Sequence, residues 1–475
     1  MTVRDPFSVL VEPDALRRWG NVALLGTAAL TGLLVLYGIW KTPMLLWVLA
    51  ILPPACAAAL WVFQRPLVNL GCVLLGFILV LEHEEGFSVI EVGFGLYYLG
   101  YLLYWAITRF LLYRERQFFT VEDYALLIFF LCVAISIPFA VLYGASTTLI
   151  ISELVSLAVL VFYFPVREAC VRYRHGVWVV LVVFVLIGMY TGARNAYMLY
   201  KGLGNAEFIW QVAKGRIILN DYVLMATSVF TLAFAITAPT TRRLIFWLPA
   251  FLATFGGLLV TQSRGYWLTF SVAALVLFIF VSTHEKRRMV ILGVVGLLAA
   301  GVVGMVFLGD LFEILLAGLI NRIFSIESAA TSDLSVVNRW YETAAAWQMI
   351  KVNPILGYGP GVVYPFFDLA EMLSLPDSFV HNGYVHMWFK YGIVGMVMLV
   401  VFLVGTMVRG FRLSRRATAS SMARRIGLAG GAIIVGTLPA IITNNPLFLS
   451  DSLVMIGIAA GLVAGMHQRT RLEAT

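Results

Sequence analysis

Long, uninterrupted apolar runs recur from one end of this chain to the other, and no other feature limits its fold so tightly. Runs of about 18 or more apolar residues have the length a helix needs to cross a hydrocarbon core of about 30 Å. Inside lipid every backbone amide needs an internal partner, so such runs fold as helices. Composition agrees: 61% of the 475 residues are hydrophobic and 12% are charged, and the mean hydropathy is +0.92. A soluble domain is about 45–50% apolar and about 25% charged. The expected fold is an all-α polytopic integral membrane protein with about 12–14 transmembrane helices.

Fourteen candidate spans can be drawn, at 21–40, 43–63, 66–82, 87–110, 125–143, 147–165, 176–192, 222–239, 244–261, 265–283, 289–308, 384–408, 426–443 and 447–466. The first twenty residues are mixed and polar, without a small-residue cleavage site, so the first span is expected to act as an uncleaved insertion signal. With both termini cytoplasmic, the clusters Arg109/Arg114/Arg116, Arg167/Arg172/Arg174, Arg242/Arg243, Lys286–Arg288 and Arg409–Arg425 all fall inside. That bias follows the positive-inside rule, so the formal net charge of +8 reads as a topology signal and implies no nucleic-acid partner. The organisation expected is N-terminal helices over 1–192, central helices with arginine-bearing outer loops over 193–308, one large structured periplasmic loop over 309–383, and C-terminal helices over 384–475. The cysteines Cys56, Cys72, Cys132 and Cys170 lie in or beside spans without paired or metal-like spacing, and read as small packing residues.

The outer connections hold the residues suited to chemistry. Within 309–383, residues 311–324 (LFEILLAGLINRIF) have helical apolar spacing and predict an interfacial helix. A second helix is predicted from after Asp333 to Asn353-Pro354, followed by the turn-rich Gly357-Tyr358-Gly359-Pro360-Gly361, able to bring backbone close to a ligand. Arg264 opens a span in TQSRGYWLTF. It is either a snorkelling anchor beside Trp267 or an anion ligand, since a guanidinium is always charged and its fork suits phosphate oxygens. Gly265 would let a phosphate approach the backbone. Arg216, in the loop 193–221 with Arg194, Lys201 and Lys214, is a second such charge or plain loop solubility. Arg339 is a third, with a helical Arg339–Glu342 pair as its bland reading.

His381 precedes a span in HNGYVHMWFKYGIVG, and imidazole is the side chain best tuned to take a hydroxyl proton near neutral pH. A purely structural histidine is the alternative, and His386 is the weaker candidate of the two. Glu82, His83, Glu84 and Glu85 read as a solvated cluster rather than metal ligands. Glu91 and Glu153 lie within or near spans, where carboxylates are often functional, and keep a transporter reading open. There is no Gly-rich nucleotide loop and no acidic metal cluster, so no metal or other cofactor is expected. Three arginines and a histidine on one face suit an anionic lipid in which arginines do the electrostatic work of a cation.

At these residues the chain resembles the bacterial O-antigen ligase and polymerase family. It is similar in an arginine-three-residues-leucine motif, Arg264 to Leu268, and in a histidine-ten-residues-glycine motif, His381 to Gly392. The stretch Asn338 to Gly361 and the segment Arg216 to Asn220 also resemble the family, the good match covering about 210–395. The resemblance implies a metal-independent, inverting transfer on the periplasmic face of the inner membrane. The implied donor is a glycan on undecaprenyl pyrophosphate, and the acceptor another glycan, lipid A-core or other hydroxyl. It further implies Arg264 and Arg216 on the pyrophosphate, His381 as base, and Arg339 and Asn382 as substrate contacts, with a chain-length regulator as a possible partner. Lys390-Tyr391 departs from the acidic residue that many members carry before the motif glycine. The competing readings are a transporter or lipid-linked oligosaccharide flippase, and a structural membrane subunit.

Overall fold

A computed structural model describes residues 65–80, 88–204, 220–308, 334–369, 372–416 and 421–474, with a few isolated positions between them. The chain divides into two units, 1–72 and 73–475. In the first, the described residues are Val62 and 65–72, the latter opening helix α1 (Pro66–Leu79).

The second unit is a helical bundle. After α1 come α2 (Val89–Ala106), α3 (Val121–Leu142), α4 (Thr147–Ala158), α5 (Tyr163–Arg172), α6 (Gly176–Gly204), α7 (Asp221–Ile236), α8 (Thr241–Val260), α9 (Arg264–Phe280) and α10 (Thr283–Leu308). Then follow α11 (Leu334–Val352), α12 (Gly383–Arg415), α13 (Ser421–Thr443) and α14 (Ser450–Ala474). Twelve of the fourteen expected spans coincide with these helices. The other two, 21–40 and 43–63, lie outside the described residues apart from Val62, as do Glu82–Glu85. Among the described residues, eight helical segments are long and apolar enough to cross a membrane, and α1, α7 and α9 are apolar but shorter. The protein is an all-α polytopic membrane protein. Among the described residues the exception is an antiparallel hairpin between α11 and α12, β1 (Tyr364–Asp368) on β2 (Leu373–Asp377), with Tyr364 opposite Asp377.

Local chemistry sets the helix starts. Ser88 and Glu91 form a capping box on α2, and Thr120 and Asp123 another on α3, each satisfying amides that a first turn leaves without partners. Glu91, read from sequence as a candidate functional carboxylate, is thus a cap. Helix α7 is buried along its whole length, and α14 along nearly all of it, so these two form the centre of the bundle. Exposed leucines and valines on α2 and α10 face outward, as lipid-facing surfaces must. Close packing relies on small residues: a Cβ on Gly427 would stand 2.6 Å from the Gly410 carbonyl oxygen, so α12 and α13 meet backbone to backbone.

One boundary differs from expectation. Helix α6 does not stop at 192 but continues to Gly204, carrying Arg194 into a helix where a loop was expected. Helix α11 matches the predicted second helix of the long loop. Of the predicted interfacial helix 311–324, Glu313, Leu316, Ala317 and Ile320 are helical, and the rest lies outside the described residues.

Candidate active site

One end of the bundle gathers the starts of α7, α9 and α12, helix α11, and the tight connection between α13 and α14. His381 sits immediately before α12, whose first turn is capped by Asn382: the side-chain oxygen of Asn382 accepts from the Val385 amide at 3.2 Å. The His381 Nδ1 lies 2.7 Å from Glu342 Oε2, and the same oxygen accepts the His381 amide at 3.3 Å. Glu342 is buried on α11, whereas His381 keeps 32% of its side-chain surface. A carboxylate at Nδ1 holds the proton there and leaves the Nε2 lone pair turned away from it, the arrangement a general base needs. Phe379 packs edge-on against the imidazole at 4.9 Å between ring centres and fixes its plane.

The bland sequence reading of an intrahelical Arg339–Glu342 pair is corrected here. Glu342 takes the histidine, while Arg339 Nη1 donates to the Thr443 carbonyl at 2.6 Å and reaches Asn444 Oδ1 at 3.5 Å. Arg264 is the first residue of α9, whose N-cap, Ser263, makes no side-chain capping bond. Gly265, next to it, lies so close to Asn444 that a Cβ there would fall 2.3 Å from Asn444 Nδ2. The Asn444 carboxamide thus stands between the start of α9 and Arg339. On the other side of the connection, buried Asn445 donates from Nδ2 to the Val380 carbonyl at 2.8 Å, one residue before His381. Asp451, at the start of α14, accepts from Asn220 Nδ2 at 2.7 Å, and Asn220 Oδ1 accepts from Arg194 at 2.6 Å. Arg264, Arg339 and His381 are therefore brought to one end. Arg216 lies outside the described residues.

The second motif glycine has a structural account. Gly392 (φ +70°) interrupts α12, freeing carbonyls that a continuous helix would use. The Tyr358 and Gly359 amides donate to the Phe389 and Lys390 carbonyls at 2.9 and 2.8 Å, and the Ile393 amide to Pro354 at 3.0 Å. A Cβ on Gly392 would lie 1.9 Å from the Ile355 carbonyl oxygen. This corrects the expectation that the Gly357–Gly361 turn brings backbone to a ligand. It packs against the protein itself, with Cβ positions on Gly357 and Gly359 falling 2.5 Å from the Lys390 oxygen and 2.4 Å from the Ser136 oxygen. Irregular backbone at membrane depth is tolerated where protein buries it in this way.

Lys390, the departure from the family pattern, is wholly buried, its Nζ donating to Glu153 at 3.1 Å and to the Val362 carbonyl at 2.7 Å. It is closed to an acceptor, and Glu153 is its counter-charge. His386 is buried too, its Nδ1 accepting the Val380 amide at 3.3 Å. At the end of β2, burial and then the charge of Glu342 push the Asp377 carboxyl above its ordinary range, against the Phe379 amide that donates to it.

Sequence reasoning missed Glu342 as the histidine's partner, and also Asn444, Asn445, Asp451 and the inward role of Arg194. The Asn-Asn-Pro run between the last two spans was the one available signal, since paired carboxamides beside a membrane end are costly unless bonded.

No curated protein matches the chain. Residues 249–400, which contain Arg264, Arg339, Glu342 and His381, match the family profile described as O-antigen ligase.

Proposed function

We propose, for a chain whose residues 249–400 match the family profile described as O-antigen ligase, a glycosyl transfer from undecaprenyl pyrophosphate to an acceptor hydroxyl. The observation that carries this reading is the His381–Glu342 contact of 2.7 Å, at the bundle end that also holds Arg264 and Arg339. His381 Nε2 takes the acceptor's proton as the hydroxyl oxygen attacks the anomeric carbon. The bond from that carbon to the pyrophosphate oxygen breaks on the opposite face, so configuration inverts. Charge that grows on the departing pyrophosphate falls to Arg264 and Arg216, with Arg339 and Asn382 supporting the donor. Glu342 keeps the imidazole in the tautomer that can accept, and stabilises the imidazolium that forms. In this reading arginines do the work a metal ion does elsewhere.

The same reading places the protein in a bacterial inner membrane, with this end facing the periplasm and both termini cytoplasmic. The acceptor is a second glycan, lipid A-core or another hydroxyl. The transporter or flippase reading loses its motive, because Glu91 caps a helix and Glu153 pairs with Lys390.

The test is purified protein in nanodiscs with a labelled oligosaccharide on undecaprenyl pyrophosphate. Release of the lipid pyrophosphate that survives EDTA is expected. A ladder of products identifies a polymerase, and a single addition to lipid A-core a ligase. Movement of intact donor across the bilayer without release would overturn the reading in favour of a flippase.

A further inference from the structure

Asn444 belongs to neither sequence motif and lies outside the matched segment, yet it stands at the centre of the site. Its Oδ1 faces Arg339 Nη1 at 3.5 Å. A guanidinium only donates, so this contact orients the carboxamide and turns Nδ2 the other way. That nitrogen is buried, has no hydrogen-bond partner, and points at the backbone of Gly265. A buried donor without an acceptor is costly, and here it sits at the start of α9, where the amides of a first turn collect. Only a glycine at 265 admits it, because a Cβ would come within 2.3 Å of Nδ2.

We infer that Asn444 is a further ligand of the donor, its Nδ2 donating to a pyrophosphate oxygen held between Arg264 and Arg339. The inference rests on the transferase reading above and adds to it a neutral donor from the connection between α13 and α14. Asn445 fixes that connection to the backbone before His381 through its bond to Val380, so the leaving group and the base are gauged from one turn.

The test measures binding of undecaprenyl pyrophosphate and of undecaprenyl monophosphate to the full chain in nanodiscs. Asn444→Ala is expected to weaken pyrophosphate binding about tenfold to a hundredfold, the worth of one hydrogen bond to a charged group. Gly265→Ala should do the same by displacing the carboxamide, a flexible side-chain end, while the arginines and the fold stay in place. Asn444→Asp should bind more weakly than Asn444→Ala, because a carboxylate repels the phosphate. A role limited to holding Arg339 makes the opposite prediction: the aspartate would strengthen that contact and be tolerated.

Wild-type affinity in both Asn444→Ala and Gly265→Ala, with binding lost in Arg264→Ala, overturns this inference and leaves the transferase reading standing. Tolerance of Asn444→Asp overturns it too. Failure of the wild-type protein to prefer pyrophosphate over monophosphate removes the reading beneath it.

Discussion

The two ends of the bundle use the same residue type in opposite ways. At one end arginines are matched to carboxylates: Arg167 to Asp123 at 2.6 Å, Arg109 to Glu168 at 2.5 Å, Arg409 to Glu122 at 2.5 Å, and Arg424 to Glu285 at 2.7 Å. Arg172 joins this network through Glu115. At the other end Arg194 donates to Asn220, and Arg339 to the Thr443 carbonyl. Of the buried carboxylates there, Glu342 is given to a histidine and Asp451 to the Asn220 carboxamide. A neutral oxygen orients a guanidinium without cancelling its charge, whereas a carboxylate does both. The first end spends its charges on holding helices together, and the second turns a basic histidine nitrogen away from its carboxylate partner.

That contrast can be broken from either side. His381→Ala should lower turnover about 10²–10⁴-fold, the range for a positioned proton acceptor, with an unchanged unfolding midpoint. Arg167→Met leaves Asp123 buried without its counter-charge, and should cost about 3–5 kcal/mol of stability. Its unfolding midpoint should fall in detergent while turnover per folded molecule is retained. Loss of turnover without loss of stability would mean that this end takes part in chemistry. Glu342→Gln keeps an acceptor for Nδ1 but removes the charge. Turnover should fall about tenfold to a hundredfold, as expected when a hydrogen bond to a charged group is weakened, with little change in donor affinity.

The smallest effect concerns Asp377, whose carboxyl is raised by burial and then by Glu342. A group with a raised folded-state pKa favours folding while protonated. Its contribution is fully present below the ordinary carboxylate value of about 3.9 and is lost as pH rises through the folded value. Asp377→Asn should therefore flatten the fall in unfolding midpoint across that acidic window and gain slightly above it. Parallel curves for the two proteins would show that Asp377 titrates as an ordinary carboxylate.

The helices were legible because lipid permits so few alternatives: Leu, Val and Phe runs of sufficient length have one solution. Arg264, Arg339 and His381 were legible as candidates from their residue types at the outer ends of spans and in the long loop. Their partners were not, because contacts across the chain carry no local signature. Glu342 lies 39 residues from His381 and only three from Arg339, which offered a nearer partner. Lys390 reads as an anomaly until Glu153, 237 residues away, is placed against it. Gly392 sits in an apolar run where a glycine is unremarkable, so the helix break that it makes, and the turn seated there, needed the fold. Asn444 lies in neither motif, so its place beside Gly265 and Arg339 needed the fold too.

The central claim is that the two ends divide chemistry from cohesion. The most direct measurement is the initial rate of undecaprenyl pyrophosphate release from labelled donor by His381→Ala and by Arg424→Ala, each normalised to folded protein in nanodiscs. The account predicts near-complete loss in the first and a wild-type rate in the second. Release by His381→Ala at the wild-type rate would contradict it.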